Sequence, residues 1–399
     1  MTRSARLRTI TRWSLLIGAI LVGVAGAALF VGGGRRSSWT TRESRSAASA
    51  YEVELSPVGK VHFERVPDRV MTLDANYNDM LVALDQSSKL VATGYRGDLF
   101  DGFYARLPGA SQAIHPDSLQ FVGGALDKER FYAVHAGVHH VDPLQLLASP
   151  GWNRADIDEI ARNVGPFVAN RYSRENSYKG TEPYTYYSLW ELSTKIAEVY
   201  RRPDRIAALQ ALYDDMLHTI ETRLPKIEDR PSVGLLMPAM GQASRFTPFC
   251  VSRLGFGTTQ YRALGVKDAF APIRNLTYGD AGQGSTIDIE GLLAIDPDIL
   301  VMPFGVNPSN AQRFATLTKL KDDPLGSRLR AVKNGRIFPG GTPLQGPVFL
   351  LFQLEMAAKQ FFPDLFGTFR ADHDYPPSER LFDRGKLAAI LSTTETPAR

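Results

Sequence analysis

The sequence predicts an α/β protein of two lobes, each built on a parallel β-sheet. Three observations lead to this prediction. The chain has 399 residues, which is too long for one small domain with a single hydrophobic core. Short apolar segments alternate with amphipathic helical segments, which is the pattern of parallel strands buried on both faces. One helix-and-strand pattern also occurs twice, so we expect the two lobes to have related folds.

The repeated pattern is clearest in residues 288–302, DIEGLLAIDPDILVM, where a short helix leads through Asp-Pro-Asp into an apolar strand. Residues 127–141, DKERFYAVHAGVHHV, align with this segment without a gap. Asp127 and Asp288 open the two copies, and an acidic residue at this place can cap the start of a helix. We therefore expect both segments to fold as helix, tight turn and strand.

A second correspondence follows the same order in both halves, with an apolar strand, a helix and another strand in each. The segments of the first half are residues 71–75, 79–85 and 89–94, and those of the second half are residues 233–238, 260–265 and 266–270. Chance similarity between short helix–strand units is the alternative explanation. Two matches in the same order favour two related lobes.

A long helical pattern joins the two halves. Apolar residues recur at steps of three and four between residues 185 and 230, with an interruption at Pro203 and a new start at Asp204. The predicted domains are a first lobe at 51–184, one long linking helix at 185–230, a second lobe at 231–366 and a C-terminal extension at 367–399. A single stiff helix would let the lobes tilt only modestly around a ligand.

The N-terminus, residues 1–50, has the features of an export segment followed by a tether. Four arginines among the first twelve residues precede an uncharged run at residues 14–34. The run is long enough for a bilayer helix, so it is either a cleaved signal or an N-terminal hydrophobic helix that is kept as a membrane anchor. Either way, we expect the rest of the chain to be extracytoplasmic, secreted or anchored to the cell membrane.

Charge and motif content argue against several functions. The formal net charge is only +4, so we expect no nucleic-acid partner. The single cysteine, Cys250, cannot form a disulfide framework, and we interpret it as a small buried thiol. The sequence contains no nucleophile-elbow, Walker, zincin or dinucleotide-binding motif, so we expect a protein that is not an enzyme. We expect it to act as a monomer.

Four segments resemble motifs of a known family. They are VPDRVMTL at residues 66–73, IEGLLAIDPDILV at 289–301, LRAVKNGRIF at 329–338 and QGPVFLL at 345–351. They are similar to motifs of the substrate-binding proteins of ABC importers for ferric siderophores, haem and cobalamin, and the resemblance spans about residues 60–366. It implies two Rossmann-like lobes joined by one long helix, in agreement with the repeat and the linker.

The resemblance implies a protein that captures a ferric chelate and delivers it to an ABC permease, with a hydroxamate siderophore as the first candidate and no covalent cofactor. Haem, cobalamin or a divalent metal are alternative ligands, and a chelatase-like enzyme is the least favoured alternative. In the family, an acidic residue on the first helix docks onto the permease, and Asp79 matches that position. The chain departs from the family at His135-Ala-Gly and in an insertion at residues 172–187.

Ligand-contacting residues are expected just after the strands, because ligands of open parallel sheets bind beyond the carboxyl ends of the strands. Aromatic rings can stack on the organic shell of an iron chelate, and a guanidinium offers paired donors to its oxygens. The candidate residues are Asn76, Tyr77, Tyr95, Arg96, Arg245, Phe246, Phe304 and Gln345. The alternative for each of them is a surface or packing role.

Three histidines, His135, His139 and His140, are close together in the sequence and could be read as metal ligands. The repeat places His139 and His140 inside a buried strand, where adjacent residues point to opposite faces. Both side chains therefore cannot reach one ion. We expect structural roles for them and no metal site.

Overall fold

A computed structural model describes residues 50–95, 102–107, 120–122, 126–242, 244–279 and 285–392. The predicted export or anchor helix at residues 14–34 and the candidate ligand residue Arg96 lie outside these ranges. Within them, no helix combines the length and the apolar character needed to cross a bilayer.

The first lobe begins with an antiparallel hairpin that the sequence pattern does not predict, formed by β1 (Tyr51–Leu55) and β2 (Gly59–Phe63). The strands of its main sheet are β3 (Val70–Thr72), β4 (Leu90–Thr93), β5 (Gln120–Phe121) and β6 (Val138–His140). These four strands are parallel and lie in the order β5-β4-β3-β6. Helices of the lobe within the described ranges include α1 (Ala75–Ala83), α2 (Lys128–Val134), α3 (Pro143–Leu147) and α4 (Arg154–Asn163).

The segment that follows is helical, as predicted, but it forms two helices, α5 (Leu189–Val199) and α6 (Pro203–Glu221). The chain bends between them at Arg201, which has a φ of 57°. The rings of Trp190 and Tyr213 lie 5.3 Å apart, so α5 packs alongside α6. Because α5 also contacts β1 and α1, it packs with the first lobe. The long helix that leads into the second lobe is α6 alone.

The second lobe contains a mixed sheet with a parallel centre. Its strands are β7 (Ser232–Pro238), β8 (Arg245–Phe249), β9 (Lys267–Asp268), β10 (Ile287–Asp288), β11 (Ile299–Met302) and β12 (Ile337–Pro339). Its helices are α7 (Thr259–Ala263), α8 (Ile289–Ile295), α9 (Ala311–Thr318) and α10 (Arg330–Lys333). β7 pairs in parallel with β9 and β11, and β11 pairs in parallel with β12. β8 is antiparallel to both β7 and β10, which adds an antiparallel edge.

The repeated helix–strand unit has the same local geometry in both lobes. Asp127 and Asp288 each cap a helix by accepting a 2.9 Å hydrogen bond from the backbone N–H three residues ahead. The two helices end at His135 and Asp296, which adopt left-handed conformations with φ of 50° and 48°. The strands that follow, β6 and β11, pair with β3 and β7 respectively. The two lobes are therefore related α/β units, as the sequence predicts.

Three helices follow the second lobe, and the first of them ties the two lobes together. They are α11 (Pro347–Phe361), α12 (Pro363–Phe366) and α13 (Arg384–Ser392). α11 is buried along its whole length and packs against α1 of the first lobe, α7 of the second lobe and α6. The C-terminal extension folds back onto α6, where Arg205 donates a 2.9 Å hydrogen bond to the carbonyl of Leu391. A buried ion pair between Arg384 and Glu355 also joins the extension to α11.

Candidate functional site

A cavity of about 270 Å³ lies between the two lobes. Its first-lobe wall is formed by residues that follow β3, β4 and the segment that bridges to β6. Its second-lobe wall is formed by residues of β7 and β8 and by the loops after β11 and β12. Convergence of strand ends from two sheets on one crevice is the arrangement in which open α/β proteins bind ligands.

Four charged side chains form much of the first-lobe wall, namely Asp74, Arg171, Arg174 and Glu175. The carboxylate of Asp74 lies 3.3 Å from Nε of Arg171 and 3.4 Å from Nη1 of Arg174. A carboxylate oxygen of Glu175 lies 3.5 Å from Nε of Arg174. Two guanidinium groups therefore share two carboxylates in a wall that is largely shielded from water.

Arg174 has unused hydrogen-bonding capacity at this wall. Only 6% of the residue is exposed, and its buried Nη1 and Nε atoms lie 3.4 Å from Asp74 and 3.5 Å from Glu175, too far or too poorly aligned for good hydrogen bonds. Burial acts to lower the pKa of Arg174, but the attraction of Asp74 and Glu175 outweighs it and raises the pKa, so the guanidinium is charged. Long ion pairs leave part of the donor capacity of a buried guanidinium unused, and an oxygen atom of a ligand in the cavity would be an additional acceptor.

The insertion at residues 172–187 helps to hold this charged wall in place. Asp142, at the start of α3, accepts a 2.8 Å hydrogen bond from the backbone N–H of Arg171 and a 2.7 Å hydrogen bond from the hydroxyl of Tyr184. The ring of Tyr184 stacks on that of Tyr178, with centroids 4.8 Å apart. The tyrosine-rich insertion therefore has a small aromatic core of its own, which fixes the backbone that carries the arginines.

The second lobe contributes an apolar and aromatic wall. Its lining rings are Phe249, Tyr261, Tyr278 and Phe304. Phe249 and Tyr278 stack with ring centroids 4.9 Å apart. Leu235 and Met237, at alternate positions of β7, lie on the same face of the sheet and reach the cavity. Arg253 adds a third guanidinium group, opposite the charged wall of the first lobe.

Phe304 holds its place in the wall with an unusual backbone conformation. Its φ is 59°, in the left-handed region that a residue with a side chain adopts only under strain. Its N–H donates a 2.7 Å hydrogen bond to the carbonyl of Gly341, and its own carbonyl accepts a 3.2 Å hydrogen bond from Asn310. These contacts stabilise the strained turn directly after β11. Strain of this kind is concentrated at functional sites in proteins.

A buried network of glutamines supports the cavity from behind. Gln345 donates hydrogen bonds of 2.7 Å to the carbonyl of Phe256 and 2.8 Å to the side-chain oxygen of Gln260. Gln353 donates to the side-chain oxygen of Gln345 and, at 3.0 Å, to the carbonyl of Thr342. Because Gln260 and Thr342 line the cavity, the network fixes polar groups at its wall.

The two lobes touch beside the cavity. Gly255, in the second lobe, approaches the first lobe so closely that a Cβ atom there would lie 2.5 Å from the carbonyl oxygen of Arg174. On the insertion, Lys179 reaches across to the carbonyl of Gly279 at 3.5 Å. These contacts tie the insertion of the first lobe to loops of the second.

The structure brings only some of the predicted ligand residues to this site. Tyr95 and Phe304 line the cavity, and Gln345 lies behind its wall. Three candidates are buried or turned elsewhere: Asn76, Tyr77 and Phe246. Asn76 and Tyr77 are misplaced for a local reason. β3 ends at Thr72, and the chain is already helical at the position where the sequence predicts the end of the strand. Arg245 lies in β8 rather than in a loop, and it donates a 2.7 Å hydrogen bond to Thr286.

Asp79 is fully buried, which contradicts its predicted role in docking onto a permease. Its carboxylate accepts hydrogen bonds from the backbone N–H groups of Val348 at 3.0 Å and Phe349 at 3.1 Å, and from the hydroxyl of Tyr104. A side chain with no exposed surface cannot contact a partner protein. Asp79 instead joins α1 to the start of α11, where its carboxyl oxygen accepts hydrogen bonds from N–H groups that have no partner within the helix.

His139 and His140 point to opposite faces of β6, as predicted. Nδ1 of His139 is hydrogen-bonded to the carbonyl of Gly165 at 2.9 Å, whereas Nε2 of His140 is hydrogen-bonded to the hydroxyl of Tyr200 at 2.7 Å. Burial lowers the pKa of each histidine to about 4, so both are neutral at neutral pH. Across the ranges that the structure describes, no group of three or more His, Cys, Asp or Glu residues could hold a metal ion.

Cys250 is buried, as predicted, and it lies at the cavity wall. Its sulfur is 3.4 Å from the hydroxyl oxygen of Thr277. Burial raises the pKa of the Cys250 thiol, so the thiol is protonated at neutral pH and is a weak nucleophile.

The sequence reasoning misses the charged wall of the first lobe. Asp74 is the first charged residue after Thr72, so a correctly placed end of β3 would identify it. Arg171 and Arg174 follow a segment that contributes only an isolated bridge, between Phe167 and β6, and that has no strand pattern of its own. Their position at the start of an unusual insertion is the sequence feature that could have indicated them.

Two α/β lobes with a ligand-sized cavity between them define a two-lobed solute-binding protein. Residues 138–342, just over half of the chain, match the family model for periplasmic binding proteins. The chain therefore belongs to the periplasmic binding protein family. No curated protein matches the sequence significantly.

Several solved structures have the same fold. A periplasmic binding protein from Veillonella parvula is 13% identical, with 79% of this chain and 92% of that chain covered and a TM-score of 0.54. The iron uptake ABC transporter substrate-binding protein PiuA from Streptococcus pneumoniae is 14% identical, with coverage of 78% and 98% and a TM-score of 0.52. An ABC-type Fe³⁺-hydroxamate transport system protein from Saccharomonospora viridis is 17% identical, with coverage of 76% and 96% and a TM-score of 0.50. At these identities the likeness shows the fold alone.

Family membership confirms three predictions from the sequence, which are the family resemblance, the two-lobed α/β fold and a binding protein rather than an enzyme. Periplasmic binding proteins are extracytoplasmic, which agrees with the predicted export of the chain. The residues that the sequence assigns to export or anchoring lie outside the described ranges.

Proposed function

We propose that this protein captures a ferric chelate of the hydroxamate type in the inter-lobe cavity and delivers it to an ABC permease. It acts as a monomer, with lobes at residues 51–184 and 231–366 and a helical segment at 185–230 in which α6 links the lobes. The observation that carries the proposal is the cavity wall, which combines guanidinium groups from both lobes with several aromatic rings.

The wall fits the chemistry of an iron chelate. Such a chelate presents oxygen atoms around the metal and an organic backbone outside them. Arg171 and Arg174 can donate hydrogen bonds to the oxygens, while Tyr95, Tyr278 and Phe304 can pack against the organic shell. The cavity of about 270 Å³ is close to the lower end of the range of small-molecule pockets, about 300 to 1,000 Å³. A bulky chelate therefore requires the lobes to tilt apart slightly.

Two structural neighbours support iron as the cargo. One is described as an iron uptake substrate-binding protein and the other as part of an Fe³⁺-hydroxamate transport system. Their descriptions make a ferric hydroxamate the first ligand to test. A haem- or cobalamin-binding protein of the same architecture is the alternative. Separate titrations with haem and with cobalamin test it, since each bound ligand has its own absorption spectrum and that of haem includes the Soret band.

Isothermal titration calorimetry of ligand-free protein with a ferric trihydroxamate tests the proposal. We expect one chelate per chain with a dissociation constant of about 1 μM or lower, and much weaker binding of the iron-free chelator. Arg171→Gln should weaken binding about tenfold, whereas Arg154→Gln, at an exposed position outside the cavity, should not. A protein that binds no ferric chelate would contradict the proposal.

Delivery requires a separate test. The cognate permease from the same host, reconstituted in liposomes with ATP inside, should take up labelled ferric chelate only when this protein is added. Uptake that is the same without the protein would contradict a role in delivery.

A further inference from the structure

Asp74 begins α1, but its side chain does not cap that helix. The residue occupies the N-cap position with an extended backbone, and its carboxylate accepts no capping hydrogen bond. By contrast, Asp127, Asp142 and Asp288 occupy the same position in α2, α3 and α8, and each accepts a hydrogen bond from the backbone of its helix. An aspartate at this position normally caps its helix, so another interaction holds the carboxylate of Asp74.

That interaction is with the arginines of the cavity wall. Asp74 is only 6% exposed, and its two oxygens lie 3.3 Å from Arg171 and 3.4 Å from Arg174. The charged groups of the described wall are the guanidiniums of Arg171, Arg174 and Arg253 and the carboxylates of Asp74 and Glu175. Two negative charges offset two of the three positive charges, so the described wall has a net charge of +1.

We propose that Asp74 determines the charge of the chelate that this cleft accepts, and that it selects ligands with little or no net charge. The inference rests on the proposed function. Ferric chelates of similar size differ widely in charge, because a ferric trihydroxamate is uncharged and a ferric tricatecholate carries three negative charges. A wall with one net positive charge cannot compensate three buried negative charges, and an uncompensated charge is unfavourable to remove from water.

An uncharged chelate still benefits from the arginines. A guanidinium has five N–H donors, and the long ion pairs of Arg171 and Arg174 with Asp74 and Glu175 use only part of them, so hydroxamate and amide oxygens are suitable further acceptors. Asp74 meanwhile keeps both guanidinium charges paired after the ligand has excluded water. Without Asp74, Arg171 and Arg174 would be left as excess positive charges that an anionic ligand offsets better than a neutral one.

The variant Asp74→Asn keeps the size of the side chain and removes its charge. Calorimetry would measure the dissociation constants of two probes, an uncharged hexadentate ferric trihydroxamate and a ferric tricatecholate, for wild type and variant. We expect the wild type to prefer the trihydroxamate by about tenfold or more. In Asp74→Asn, the affinity for the tricatecholate relative to the trihydroxamate should rise by about tenfold or more, because charges a few ångströms apart interact strongly in a partly dehydrated site.

Glu182→Gln is the matched control. It removes a carboxylate from the same lobe, paired with Arg154 at 3.2 Å outside the cavity, and it should leave the ratio of the two affinities unchanged. The double variant Asp74→Asn with Arg174→Gln should bring the ratio back towards that of the wild type, because the local charge balance is restored.

The wild-type measurement is decisive even if a variant fails to fold. A wild-type protein that binds the tricatecholate as tightly as the trihydroxamate would overturn the inference and leave the proposed function standing. A folded Asp74→Asn protein with an unchanged ratio would overturn it too. A wild-type protein that binds neither chelate would overturn the proposed function, and the inference with it.

Discussion

The carboxylate of Asp79 accepts a hydrogen bond of 3.0 Å from the backbone N–H of Val348, although 269 positions separate the two residues. The same oxygen accepts a 3.1 Å hydrogen bond from Phe349. Asp79 lies in α1 of the first lobe, and Val348 lies in the first turn of α11, which follows the second lobe. The two helices approach so closely that any side chain on Gly346 would overlap this carboxylate. One buried carboxylate thus joins an element of the first lobe to the helix that closes the second.

This contact predicts a large effect of Asp79→Ala on stability. The variant leaves buried N–H groups at the start of α11 without an acceptor, which should lower the free energy of unfolding by about 2 to 4 kcal/mol. Asp79→Asn should cost less, because its amide oxygen can still accept. Urea denaturation at neutral pH measures both, with Glu54→Gln on the exposed face of β1 as the control. A loss below about 0.5 kcal/mol in Asp79→Ala would contradict the structural role.

Asp79 also predicts a pH dependence of stability that opposes the effect of two histidines. Burial raises the pKa of Asp79 from 3.8 to about 7, so its contribution to stability is fully present below 3.8 and is lost progressively as the pH rises to 7. Burial lowers the pKa of His139 and His140 to about 4, so their contribution is present above their ordinary value of 6.5 and is lost as the pH falls towards 4. Between pH 4 and pH 6.5, the effects of Asp79 and of the two histidines on the free energy of unfolding have opposite signs and partly cancel.

Asp79→Asn removes only the first of these effects. The variant should therefore lose stability more steeply than the wild type as the pH falls from 6.5 to 4, by up to about 1.4 kcal/mol per pH unit. Urea denaturation at steps across this range measures the two slopes. Parallel curves for wild type and variant would show that Asp79 ionises in the folded protein much as it does in the unfolded chain.

The architecture can be predicted from the sequence because it depends on local patterns. The repeat at residues 127–141 and 288–302 is visible since helix caps, a left-handed turn and an apolar strand each leave a short-range signal. The hairpin of β1 and β2 and the packing of α5 beside α6 are missed, because they depend on contacts between segments. A run of helical spacing does not show where the chain reverses direction.

The site is harder to predict, because its residues are selected by long-range packing. Tyr95 and Phe304 are found since each follows a strand almost directly. Asp79 is misassigned because every residue of α1 is buried, although the sequence ANYNDMLVA contains three strongly polar residues. Asp79 is covered by α11, which lies far along the chain, and no local sequence pattern predicts this contact.

The contact between the lobes at Gly255 predicts a difference between two glycine variants. Gly255 has a φ of 101°, and Gly151, in the first lobe, has a φ of 88°, so alanine is unfavourable at both. Only at Gly255 would the new Cβ also lie 2.5 Å from a backbone oxygen of Arg174, whereas Gly151 has nothing within 4 Å. Gly255→Ala should therefore weaken chelate binding about tenfold by displacing Arg174, and Gly151→Ala should not. Calorimetry on both proteins measures the difference, and equal affinities would show that the lobe contact does not shape the site.

The strained backbone of Phe304 allows stability and binding to be separated. Phe304→Ala and Phe304→Gly both remove the ring from the cavity wall, so both should weaken chelate binding by about tenfold. Only glycine adopts the φ of 59° without steric cost, so Phe304→Gly should be more stable than Phe304→Ala by about 1 kcal/mol. Urea denaturation and calorimetry measure the two quantities independently. Equal stabilities would mean that the turn relaxes to another conformation once the ring is gone, and unchanged binding would remove Phe304 from the ligand site. The predicted combination, equal loss of binding with unequal stability, requires both that the ring contacts the ligand and that the backbone is strained in order to present it.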